Sequence, residues 1–176
     1  MATRILLFLA TNLCVVILIS FITSLLGITA EGVVGLALIC FIYGMVGAFI
    51  SLSISKWIAK KFYKVKIIRE SDNNPDKLKL FNMIRDLAKS AKIPMPEVGI
   101  YDSPELNAFA TGPSQKNSLV AFSSGIIEQM NAEELRAVAA HEISHIKNGD
   151  MVTMTLLTGI ANAFVMFLSR ILAKVI

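Results

Sequence analysis

The sequence predicts an α+β membrane protein: an N-terminal transmembrane helical hairpin, then a small sheet packed with helices, then a third hydrophobic helix. Three observations predict it. Hydrophobic residues make up 55% of the 176-residue chain and charged residues only 17%, too apolar a balance for an ordinary soluble domain. All five prolines and every acidic residue except Glu31 lie between Glu70 and Asp150, which confines the water-exposed part to that stretch. The chain's two histidines, His141 and His145, stand four residues apart in a segment, Asn131 to Asn148, that carries helix start and stop signals.

Ile5 to Leu26 is an apolar run relieved by Thr11, Asn12, Ser20, Thr23 and Ser24. At a rise of about 1.5 Å per residue it can cross a hydrocarbon core of about 30 Å. It exceeds the roughly 7–15 residues of a signal-peptide core and no small-residue cleavage site follows, so it reads as an uncleaved anchor. Asn12 reads as a helix-packing contact. Gly27 to Gly32 is a short turn, and Val33 to Ile54 is a second span in which Gly44, Gly47 and Ala48 allow close approach to a neighbouring helix.

Trp57, Phe62 and Tyr63 then mix with Lys56, Lys60, Lys61, Lys64, Lys66 and Arg69, as in an aromatic belt beside a cytoplasmic basic cluster. Together with Arg4 before the first span, this cluster predicts that both ends of the hairpin face the cytoplasm. Lys56 to Val65 is expected to continue as an interfacial helix. The expected divisions are 1–56 for the hairpin, 57–150 for the water-exposed domain and 151–176 for the third hydrophobic segment.

Ser71 to Pro75 is a linker ending in an N-cap and a proline at the first helical position, and Leu80, Ile84, Leu87 and Ala91 recur behind it at helical spacing. Ile93-Pro94-Met95-Pro96 ends that helix. Glu97 to Tyr101, Leu106 to Thr111 and Ser118 to Phe122 read as strands, the last two separated by Gly112-Pro113 and a polar loop. Ser123 and Ser124 lack a G-x-S-x-G setting and start a short helix, Gly125 to Met130. Cys14 and Cys40 sit in apolar runs with no activating base, so neither reads as a nucleophile. The net charge of +4 is concentrated after the second span, which favours a lipid bilayer over nucleic acid as the partner.

The chemistry lies in His141-Glu142-Ile143-Ser144-His145. Positions i and i+4 of a helix point the same way one turn apart, so two imidazoles so placed can share a metal ion. Glu142 stands beside that row, placed to take a proton from an attacking water. This is the H-E-x-x-H pattern of zinc peptidases. Asn131 with Glu134 suggests a capping box, Glu133 and Glu134 suit the positive helix end, and Gly149 suits a stop. Asp150, the next carboxylate after His145, would lie about 140° from the ligand row on a continuous helix and is expected to cap the next segment.

Three stretches carry a family resemblance: Ile93 to Tyr101, Asn107-Ala108-Phe109-Ala110-Thr111-Gly112, and Ala140 to His145 followed by Asn148-Gly149-Asp150-Met151. With the hydrophobic hairpin they make the chain resemble the HtpX-like membrane-bound zinc metalloproteases of bacteria, relatives of the prenyl-protein peptidases. The resemblance implies a zincin-like domain in the cell inner membrane that takes part in the stress response. It implies cleavage of damaged or misassembled membrane proteins, or of unfolded polypeptides, at the cytoplasmic face. It implies Zn2+ on His141 and His145, Glu142 as general base, and Asn107, Ala108 and Phe109 on an edge strand that pairs with substrate. It also implies a third zinc ligand, a glutamate from a helix further downstream. The 176 residues do not include that helix, so the chain is expected to be an N-terminal portion that is inactive alone. A noncatalytic membrane adaptor with a degenerate zinc site is the alternative. An intramembrane-cleaving protease fits less well, because Glu133, Glu134 and Arg136 place the motif in water.

Overall fold

The computed structural model describes residues 32–175, so the first span expected at Ile5 to Leu26, with Asn12 and Cys14, lies outside the described residues. Nine elements follow in order: α1 (Gly32–Phe62), β1 (Lys66–Ile68), α2 (Pro75–Ala91), β2 (Glu97–Tyr101), β3 (Ala108–Ser114), β4 (Asn117–Ser123), α3 (Ser124–Gln129), α4 (Ala132–Asn148) and α5 (Asp150–Val175). The chain is a mixed α/β protein whose described residues fall into two compact units, one covering Leu52–Thr153 and the other the described residues before Leu52 together with those after Thr153.

In the second of these units α1 and α5 meet at glycines. Gly44 has no room for a Cβ against the Gly159 carbonyl and the Ala163 backbone. This is the close approach that small residues permit between apolar helices. Gly35–Phe62 and Asp150–Leu172 are each long and apolar enough to cross a membrane.

The unit Leu52–Thr153 is built on a four-stranded sheet in the order β1-β2-β4-β3. β2 and β4 run parallel, and the two outer strands pair antiparallel to them, Ile67 opposite Gly99 and Phe109 opposite Ala121. Because side chains alternate across a strand, the sheet has two buried faces. On one, Val98, Val120 and Phe122 pack with Leu80, Ile84 and Ala88 of α2, Ile126 of α3, and Leu135, Ala139, Ile143 and Ile146 of α4. On the other, Tyr101, Leu119 and Ala121 pack with Ala59 and Val65. The last turns of α1 therefore form part of this unit's core, and α1 runs unbroken past the expected boundary at residue 56.

Local signals account for most element ends. Asn74 caps α2 through Asp76 and Lys77, Pro75 takes the first helical position, and Lys92 closes the helix in the left-handed region at φ 59°. Two expectations are corrected. β1 is not announced by the sequence, because three residues next to a lysine-rich helix end carry too short a pattern. β3 starts at Ala108 rather than Leu106 and continues through Gly112 and Pro113, where the ladder shifts register. Gly112 has φ 135° and no room for a Cβ beside the Asn117 backbone, and Pro113 is tolerated because β3 is an edge strand.

Glu97 at the start of β2 ties the end of α1 to the sheet. Lys56 lies 3.1 Å from one of its carboxylate oxygens and Lys60 meets the other. Burial pushes the Glu97 carboxyl up, but hydrogen bonds and charge from Lys60 and Lys56 outweigh this and hold it below its ordinary value of 4.5. A carboxyl depressed on folding stabilises the fold above its unfolded value, and that contribution is lost as pH falls through the folded one. Glu97 is 39% exposed, so solvent screening limits the effect to about 1 kcal/mol or less. Lys60→Ala is therefore expected to lower denaturation stability at pH 7 by that order, and the gap to the parent protein is expected to close as pH falls through the depressed Glu97 value. A gap undiminished at pH 3 would assign the loss to packing.

Candidate metal centre

Helix α4 is held at both ends. At the start, Asn131 accepts the Glu133 and Glu134 amides at 3.0 Å, and Glu134 accepts the Asn131 amide at 3.0 Å. This capping box is worth about 1 kcal/mol. At the end, Gly149 takes φ 72° and its N–H closes onto the His145 and Ile146 carbonyls. The Gln115 amide donates to the Lys147 carbonyl at 2.8 Å, which joins the β3–β4 hairpin to the same terminus.

Leu135, Ala139, Ile143 and Ile146 face the core. At about 100° per residue, His141 and His145 each fall about 160° from Ile143, on the open side of α4. Their Nε2 atoms lie 3.0 Å apart, with the rings at 82° to one another. Two nitrogens bound to zinc at about 2.0–2.1 Å in a tetrahedral site would be about 3.3 Å apart, so a small adjustment lets this pair share the ion. Behind His145, Asp150 Oδ2 lies 2.6 Å from Nδ1. With Nδ1–H donated to that carboxylate, His145 keeps the Nε2 lone pair for a metal, the arrangement that orients metal-binding histidines.

The donor set thus fits zinc as far as it goes. Among the described residues, no group of three or more His, Cys, Asp or Glu side chains could hold a metal ion. Glu142 is half-buried beside the histidine row and has no hydrogen-bond or ion-pair partner among the described residues. Asp150 departs from expectation. It is the first residue of α5 rather than a cap, and it reaches His145 because Gly149 breaks the continuous helix on which the 140° separation depended.

The expected substrate residues divide. Asn107 precedes β3, and its backbone is already engaged: its N–H donates to Ser123 Oγ at 3.2 Å and its carbonyl accepts the Ser123 amide at 3.0 Å. Bonded and unbonded residues alternate along an antiparallel ladder. Phe109 therefore directs its N–H and C=O at β4, whereas Ala108 and Ala110 direct theirs to the outer edge of the sheet. The Phe109 ring lies on the face away from α4, 5.4 Å from Tyr63 and 5.6 Å from Tyr101.

With this geometry in place, comparison with known proteins decides the family. Residues 75–175 match Peptidase family M48. The chain belongs to that family. "Protease HtpX" of Pasteurella multocida is 50% identical over 173 residues, covering 98% of this chain and 60% of that protein. "Protease HtpX homolog" of Methylacidiphilum infernorum is 51% identical over 178 residues, covering 98% and 59%. The chain thus spans about 60% of the length of the curated relatives it matches. The crystal structure of S. mikatae Ste24p shares the fold, with a TM-score of 0.52 and 22% identity over 68% of this chain and 29% of that one. The M48 match includes His141, Glu142, His145 and Asp150.

Replacing Asp150 tests its place behind His145. Partners of metal-binding histidines typically carry a 10–100-fold effect on metal affinity. Asp150→Ala is expected to lower zinc affinity by about that factor in competition with a chromophoric chelator, with helix content unchanged by circular dichroism. Unaltered affinity would leave Asp150 with no part in the site.

Proposed function

We propose that this chain carries the zinc-binding helix and substrate edge of a membrane-anchored zinc endopeptidase. The observation that carries the reading is the convergence of His141 Nε2 and His145 Nε2 at 3.0 Å, with Glu142 beside them and Asp150 behind. When bound, zinc supplies Lewis-acid activation of the scissile carbonyl and of water. Glu142 takes the proton of the attacking water and passes it to the leaving amine. The outward N–H and C=O groups of Ala108 and Ala110 hold an extended substrate backbone by β-augmentation. Ala108 and Ala110 also carry small side chains on the sheet face that α4 covers. The substrates are damaged or misassembled membrane proteins, or unfolded polypeptides, met at the cytoplasmic face of the inner membrane during stress. The likeness to the HtpX proteases and the two apolar helices support the coarser part of this reading, a membrane protease.

Four variants in a chain of the relatives' full length separate the roles. His141→Ala and His145→Ala are expected to lose zinc and casein cleavage together. Glu142→Gln is expected to keep zinc and lose cleavage by at least about 100-fold, the lower range for general-base catalysis. Ala108→Pro, which removes an outward N–H, is expected to keep zinc and lose turnover. Among the described residues His141 and His145 are two of the three protein donors that a catalytic zinc site uses, so the 176-residue chain is expected to bind zinc weakly without sustained cleavage. Full-rate cleavage by Glu142→Gln would favour the adaptor alternative, with the peptidase activity coming from a contaminant.

The basic cluster in and just after the last turns of α1 supports placing Leu52–Thr153 in the cytoplasm. A cysteine introduced at Ser114 is expected to resist an impermeant thiol reagent in sealed cells and to react after lysis. Labelling in sealed cells would reverse the topology.

A further inference from the structure

The six cations between Lys56 and Arg69 do not form one uniform patch. Lys56 and Lys60 turn inward to Glu97, and Lys56 also donates to Asn117 Oδ1 at 2.7 Å. Lys61 and Lys64 are exposed and have no acidic partner among the described residues. The nearest acidic residue after them in the chain, Glu70, is already paired with Arg85 at 2.6 Å. Trp57 is 59% exposed and Phe62 54% exposed. Trp57 and Lys61 each lie about 160° from Ala59, the residue by which this turn enters the core. Lys61 Nζ stands 5.0 Å from the Trp57 ring centroid. An aromatic ring with an unpaired ammonium over it, at the end of a helix apolar enough to span, suits the headgroup layer of a bilayer.

We propose that the outward side of the end of α1, Trp57 with Lys61, together with Lys64 just beyond the helix, binds the headgroups of anionic phospholipids. The occupant follows from charge complementarity, since Lys61 beside Trp57 and Lys64 just after it are exposed with no ion-pair partner among the described residues. The inference rests on α1 lying in a membrane. A lysine near an anionic leaflet strengthens association by about fivefold.

The chain has one tryptophan, so Trp57 reports on its own surroundings. The 176-residue chain would be reconstituted into vesicles of equal phosphatidylcholine and phosphatidylglycerol, with one or the other lipid brominated as a quencher. Brominated phosphatidylglycerol is expected to quench Trp57 with a relative association constant at least fivefold higher, and 1 M salt to erase the difference. Lys61→Gln with Lys64→Gln is expected to erase it at low salt, whereas Lys60→Gln keeps it within twofold. Circular dichroism on each variant confirms an unchanged fold. Equal quenching by both lipids would overturn the anionic assignment while leaving α1 in the membrane. Quenching by neither would remove Trp57 from the bilayer and overturn the membrane placement as well. An equal loss in Lys60→Gln would overturn the division between inward and outward lysines.

Discussion

Two imidazoles one turn apart can share a metal only while the backbone between them stays helical and the helix keeps its rotation about its own axis. α4 meets both conditions through its buried side. Leu135, Ala139, Ile143 and Ile146 set the rotation by packing on the sheet, which leaves His141 and His145 on the open side. The capping box and the Gly149 terminus prevent fraying at either end. The polar contacts at the C-terminus do a further job. Gln115 fixes the β3–β4 hairpin to Lys147, and Asp150 fixes His145 to the start of α5, so the metal row, the edge strand and an apolar helix meet within a few residues.

The second face of the sheet depends on α1. Without Ala59 and the segment leading to Val65, the Tyr101, Leu119 and Ala121 side chains would lose their cover. The core of Leu52–Thr153 is therefore completed by the last turns of α1. Tyr63 extends this arrangement to the sheet edge, since it stacks with Tyr101 and Phe109 in one aromatic cluster. Phe109 braces β3 from behind while Ala108 and Ala110 present the free backbone.

Much of this was legible in the sequence where a local rule governs. The limits of α4, its capping box and its stop at Gly149 follow from side chains acting on neighbouring amides. The start of α2 at Pro75 and the span of β2 are of the same kind. What was missed depends on partners distant in sequence. β1 exists because Lys66–Ile68 finds β2 to pair with, and nothing within three residues announces that. The inward turn of Lys56 and Lys60 depends on Glu97, about forty residues on. Asp150 departs from the helical-wheel expectation for a different reason. Gly149 marks the stop, and the change of direction that this left-handed residue imposes brings the Asp150 side chain to His145.

The histidine row raises a question of solvation that the two donors cannot answer by themselves. On the open side of α4, His141 is exposed and His145 keeps 41% of its side-chain surface. Catalytic zinc chemistry uses three protein donors and a pocket from which water is largely excluded. The described residues supply two donors, an orienting carboxylate and one wall formed by β3. The third donor and the opposite wall must, for the proposed reaction, come from outside those residues, and they have to approach the side of α4 that its core stripe leaves uncovered. One element could meet both requirements by placing an apolar flank over the helix and a carboxylate toward the paired Nε2 atoms. The open face of α4 therefore restricts where the rest of the site can lie, before that element's sequence is considered.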